Sequence, residues 1–164
     1  MSKRALKTYL EGLSREDLSE QVLDLYDRFK DVKVFYDFVF NPKEDQLLNQ
    51  AKERIAKEYT ARGRKRPKAR RSVAHKILSH FKVLGVHPQG IAEVMVYNLE
   101  LALRYEQQYN CNPAFYKSIY KSFLDLKDFV QYERLFADFE NRIHAIHAAL
   151  MDSNGPFTEE LELD

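Results

Sequence analysis

Apolar residues recur at steps of three and four along almost the whole chain, and polar caps, glycines and prolines punctuate them into successive helices. The first predicted helix runs from about Lys3 to Glu11, with Ala5, Leu6, Tyr9 and Leu10 on one side and Gly12 at its end. Ser14 then reads as an N-cap, with Asp17 three residues on in a capping-box position. The helix it opens carries Leu18, Val22, Leu25 and Phe29. A short aromatic helix follows, with Val32, Phe35, Tyr36 and Val39. Its tail, 34–40, has the composition of a strand, but no partner strand is legible elsewhere and an isolated strand is unstable, so helix is predicted.

Asn41-Pro42 reads as a helix start, Asn as N-cap and Pro at the first helical position. The helix carries Leu48, Ala51, Ile55 and Tyr59. Pro67 is predicted to open the next, with Val73, Ile77, Phe81 and Leu84 inward and Gly85 as its C-terminal cap residue. Pro88 starts another, whose inner stripe is Ile91, Val94, Met95, Asn98, Leu101, Ala102 and Tyr105. Asn112-Pro113 repeats the start signal before Tyr116, Ile119, Tyr120, Phe123, Leu126 and Val130. The last stripe is Tyr132, Leu135, Phe136, Phe139, Ile143, Ile146 and Leu150, broken by Asp152-Ser-Asn-Gly-Pro156.

The pattern predicts an all-α protein: an irregular array or bundle of seven to eight antiparallel helices, with HEAT- or armadillo-like stacking of hairpins as one form it can take. Helix starts are unevenly spaced, which disfavours a true repeat. Only five Gly and five Pro in 164 residues agree with long helices and few turns. One helical domain is expected over 1–151, followed by an acidic, loosely held tail over 152–164.

Composition narrows the function classes. Hydrophobic content of 45% and charged content of 31% mark a globular chain rather than a disordered one. No apolar stretch approaches the roughly 20 residues that cross a bilayer, and the N-terminus lacks the apolar core of a signal peptide. The single cysteine, Cys111, forms no internal disulfide and belongs to no cysteine cluster. A cytoplasmic protein without membrane partner is expected, and the oligomeric state is left open.

Charge adds the one concentrated feature. Seven of the ten residues of Arg62-Gly-Arg-Lys-Arg-Pro-Lys-Ala-Arg-Arg71 are cationic. Taking those seven from the 26 Lys and Arg leaves 19 basic residues against 25 acidic, a net of about −6. Arg62, Arg64, Lys65, Arg66, Lys68, Arg70 and Arg71 are therefore the candidate contacts to nucleic-acid phosphates or another polyanion, in a salt-dependent, largely sequence-independent mode. No aromatic interrupts the run, which argues against base stacking. The plainer alternative is a solvated interhelix loop. The acidic tail, with Glu159, Glu160, Glu162 and Asp164, is a third possible occupant. The run also matches a nuclear import pattern, a weak signal. A separate alternative is a scaffold for an acidic protein surface or for self-association, suggested by the aromatics of 35–40 and 115–123.

Other polar residues point to structure. His144 and His147 share a helical side, but convergent metal ligands are lacking. His75 is placed on the outer face of its helix, His80 at a margin and His87 in a turn. Asn98 interrupts an inward stripe and needs hydrogen-bond partners. Glu93 and Glu100 lie a turn or more from Asn98 on other faces of the helix, so no carboxylate pair for acid–base work is implied. Nucleophile elbows, phosphate-cradling glycine loops and paired cysteines are missing. No catalytic residue, metal ligand or cofactor is assigned, and an enzyme is not expected.

Ser2-Lys-Arg-Ala-Leu-Lys with Leu13-Ser14, Asp24–Lys30, Tyr36–Asp45 and Pro67–Ser72 together resemble a family of small bacterial proteins of unknown function, over about residues 2–105. That resemblance implies a bacterial cytoplasmic origin, which weakens the nuclear-import reading. It brings no activity and no catalytic residue.

Overall fold

The computed structural model describes residues 2–61 and 63–153. These form eight helices, and no strand occurs among the described residues: α1 (Lys3–Glu11), α2 (Arg15–Arg28), α3 (Lys30–Phe40), α4 (Glu44–Tyr59), α5 (Arg71–Leu84), α6 (Pro88–Gln108), α7 (Pro113–Tyr132) and α8 (Phe136–Met151). The all-α expectation holds. The chain forms two compact units, Met1–Lys43 and Glu44–Asp164. Of the acidic tail, residues 154–164 lie outside the described residues.

The first unit comprises α1 to α3. Ser2 caps α1 through its hydroxyl, which accepts from the Ala5 amide. Ser14 and Asp17 form the expected reciprocal capping box, and the Ser14 hydroxyl and then its amide hold the Asp17 carboxyl below the usual range. Segment 34–40 is helical despite its β-branched and aromatic content, as expected where no strand partner exists. The Tyr26 and Tyr36 rings meet between α2 and α3, and the Gln21 amide donates to the Tyr9 hydroxyl at 2.8 Å. No side chain of these helices is buried. The stripe read from α2 has the right spacing, yet Val22, Leu25 and Phe29 are exposed. Three helices in about 40 residues enclose too little volume for a core.

The second unit holds every buried side chain among the described residues, from Ala51 to Leu150. Helices α4, α5, α7 and α8 all pack on α6. Successive α6 residues point about 100° apart, and Val94, Met95 and Val96 are all buried, as are Leu99, Ala102 and Leu103. A helix apolar on most of its circumference belongs at the centre of its unit. The inner stripe read from sequence was one face of a helix that has neighbours nearly all round. Gly90 allows one of these approaches, since a Cβ there would lie 2.9 Å from Leu48 Cδ1.

The stop signal was right at α5, and the start signals were right at α6 and α7. Gly85 ends α5 in the left-handed region at φ 76°. Pro88 and Pro113 open α6 and α7, and the Asn112 side chain accepts from the Phe115 amide at 2.9 Å. Three expectations fail. Asn41 is the C-cap of α3, and α4 begins only at Glu44. The Glu44 carboxylate accepts from the His87 amide at 3.0 Å. Pro67 does not open a helix, because residues 66–70 run without regular structure and α5 starts at Arg71. Tyr132 closes α7 and is 84% exposed. Arg134, at φ 60°, turns the chain before α8.

A polar network ties three helices of this unit. Arg142 of α8 donates to Glu93 and, through two nitrogens, to Glu100 of α6, and Lys52 of α4 donates to Glu93 at 2.8 Å. Burial works to raise the Glu93 carboxyl, but the hydrogen bonds from Lys52 and Arg142 outweigh it and leave it below the usual range. Glu93 and Glu100, read as unrelated, thus share one guanidinium.

Candidate functional site

The basic run is an anchored strap between α4 and α5. Gly63 turns the chain at φ 65°. Pro67 and Ala69 are then buried. The Ala69 amide donates to the Glu58 carbonyl at 2.8 Å, and the Tyr105 hydroxyl donates to the Pro67 carbonyl at 3.2 Å. Ala69 sits at φ 46°, the left-handed region that an alanine enters at a cost of roughly 1–2 kcal/mol. These anchors on α4 and α6 hold it there.

Three of the candidate cations serve this anchoring. The Arg66 Nε donates to the Tyr105 hydroxyl at 2.6 Å and a terminal nitrogen donates to the Asn110 carbonyl at 2.8 Å. Its guanidinium lies 5.2 Å and 5.0 Å from the ring centres of Tyr105 and Tyr109, a doubled cation–π contact. Arg70 makes a two-pronged bond to Glu58, at 2.8 and 2.7 Å. That bond holds the Glu58 carboxyl below the usual range against the opposing pull of desolvation.

Arg71 goes furthest inward, at 8% exposure. Its guanidinium donates to the Tyr59 hydroxyl at 3.1 Å, Asn98 Oδ1 at 3.0 Å, the Asn98 carbonyl at 3.4 Å, Ser122 Oγ at 2.7 Å and Ser118 Oγ at 3.4 Å. Every one of these acceptors is uncharged. Asn98, 2% exposed, thereby finds the partner its place in an apolar stripe demanded. Burial raises the Tyr59 phenol, with the Arg71 charge pulling the other way.

Arg64, Lys65 and Lys68 are exposed, and no hydrogen bond or ion pair joins their side chains to another described residue. Arg62 lies outside the described residues. The seven candidates therefore divide into three tethered cations, three outward ones and one undescribed. Sequence reasoning missed Lys57, on the last turn of α4. A cleft of about 210 Å³ brings Lys57, Lys65, Arg66, Lys68 and Arg70 around the single carboxylate Glu58. The only sequence signal for Lys57 was its place one helical turn before the run.

On its other side the strap borders a second cleft, of about 580 Å³, between the end of α6 and the start of α7. Arg66, Lys68 and Arg71 line it, and no aspartate or glutamate does. Cys111 lies in its wall, with a thiol that burial pushes above its usual value, so it is no ready nucleophile.

The histidines do not converge. His144 lies 3.8 Å from Glu140, and His147 stacks on Phe123. His75 is half-buried rather than outward, and burial followed by the nearby Arg71 charge keeps its imidazole below the usual value. Among the described residues no helix is long and apolar enough to cross a membrane, and no group of three metal-ligating side chains occurs.

Fold and site together define an all-helical protein with a cationic strap anchored to its larger unit. The chain belongs to the Family of unknown function (DUF6155), which it matches over residues 1–162. The match extends well past the stretch that carried the resemblance. No curated protein matches the chain, and no solved structure does.

Proposed function

We propose that this protein is a cytoplasmic binding module that contacts nucleic-acid phosphates through the outward side of its strap. One observation carries the reading: five cations surround one carboxylate in the Lys57–Arg70 cleft, and that carboxylate is already bonded to Arg70. Lys57, Arg64, Lys65 and Lys68 are the contact residues. Arg66, Arg70 and Arg71 position the strap. Anchoring supports the reading, because a strap whose backbone is held in place loses less conformational freedom on binding than a free loop does. The free thiol of Cys111 accords with a reducing compartment.

Fluorescence anisotropy with labelled duplex DNA and RNA tests this. Four phosphate contacts give a log–log salt slope of about −3.6, so affinity should fall by about a hundredfold between roughly 50 and 200 mM salt. Lys65→Glu with Lys68→Glu should weaken binding at least tenfold and flatten the slope by about 2. Absence of binding at low salt removes the reading.

A second reading, a protein-interaction or self-association scaffold, has its own support in the first unit. Leu23 is 62%, Phe29 54% and Phe40 81% exposed. In the other aromatic segment that suggested it, Phe123 is a core residue and Phe115, Tyr116 and Tyr120 are half-buried. Sedimentation velocity separates the readings: a concentration-dependent dimer abolished by Phe29→Ser with Phe40→Ser favours the scaffold.

A further inference from the structure

We infer that the cleft between the strap and the start of α7 is a binding site for a small organic phosphate, on the other side of the strap from the cleft around Glu58, the two sharing Arg66 and Lys68. The argument begins with Arg71. A guanidinium removed from water loses several kcal/mol of hydration, and buried cations are normally matched by a carboxylate. Arg71 has none: its acceptors are a phenol, an amide oxygen, a backbone carbonyl and two serine hydroxyls. These satisfy its hydrogen bonding without neutralising its charge. One of its five N–H groups has no acceptor among the described residues.

That uncompensated charge borders a cavity. Arg71 and its partner Ser118 both line the cleft, joined by Arg66 and Lys68. Three cations with no lining carboxylate attract an anion of more than one charge, and a phosphate monoester dianion meets guanidinium and ammonium groups together. The cleft, about 580 Å³, exceeds what inorganic phosphate fills and falls within the range of small-molecule sites. Pro67, Phe115 and the Cys111 thiol supply apolar wall for the ligand's organic part. Ala114, in the first turn of the 20-residue α7, adds the positive end of that helix.

Thermal unfolding of the full chain with phenyl phosphate tests the site, against inorganic phosphate, citrate and sodium chloride at matched ionic strength. At ten times Kd, phenyl phosphate should raise Tm by about 3–5 °C. Inorganic phosphate and citrate should each do less at the same concentration. Ser118→Asp supplies the missing counter-charge beside Arg71, so it should raise Tm by itself and abolish the phenyl phosphate shift. Ala114→Glu, at an exposed position in the cleft wall, should abolish the shift whether or not Ser118→Asp folds. Lys57→Glu with Lys65→Glu should leave the shift intact while weakening nucleic-acid binding, so the two proposals fail separately. No shift in the wild-type protein, a shift that survives Ala114→Glu, or equal stabilisation by citrate overturns the inference.

Discussion

Arg71 shows how far one residue can depart from what its neighbours in sequence suggest. Within a run of seven cations it reads as solvated charge, yet it is the buried hub joining Tyr59, Asn98, Ser118 and Ser122. Arg71→Met should cost about 3 kcal/mol in urea unfolding, because it orphans buried acceptors. Combining it with Asn98→Leu should cost less than the two single changes added together, by at least about 1 kcal/mol. Additive losses would mean the two side chains are not coupled. Glu58 makes a pH-dependent contribution. Arg70 lowers its folded pKa, so the unfolded chain binds its proton first as pH falls. Its stabilisation is complete above the ordinary glutamate value, about 4.3, and is lost as pH drops through the folded value. Tm measured from pH 7 to pH 3 should therefore fall more steeply for the wild type than for Glu58→Gln. Asn98 was legible as a polar residue needing a partner, while the identity of that partner was not. Arg71 lies 27 positions away in the chain.

At the scale of elements, signals that act within one turn were read correctly. The Ser14–Asp17 box, the Asn112 cap and the Gly85 stop each satisfy backbone groups locally, so tertiary packing had little to change. Gly85→Ala should lose about 1 kcal/mol, since φ 76° is unfavourable for any Cβ; calorimetry of the intact chain checks it. The same vocabulary misled where another element competed. Asn41 closes α3 rather than opening α4. Pro67, a plausible helix opener, is buried in a strap because its carbonyl is held by Tyr105 and the next alanine's amide by Glu58. The neighbours of α6 escaped the pattern for a related reason. Periodicity shows which side of a helix is apolar, but a helix with partners on several sides presents no single stripe.

At the scale of the whole molecule, the two units divide the physical work. All fully buried side chains among the described residues lie from Ala51 onward, so a chain beginning at Glu44 should fold by itself, with one cooperative urea transition and protected amides in α6. Loss of cooperativity in that fragment would contradict the placement of the core. The sequence by itself determined the helical class, most helix bounds and the concentration of cations at 62–71, because those depend on spacing and on groups within a turn of each other. Only the tertiary structure decided which cations turn inward, that Lys57 joins the outward set, and that Arg142 gathers Glu93 with Glu100. Those outcomes depend on side chains brought together from distant parts of the chain, where hydrogen-bond geometry and desolvation, rather than local pattern, determine where each charge rests.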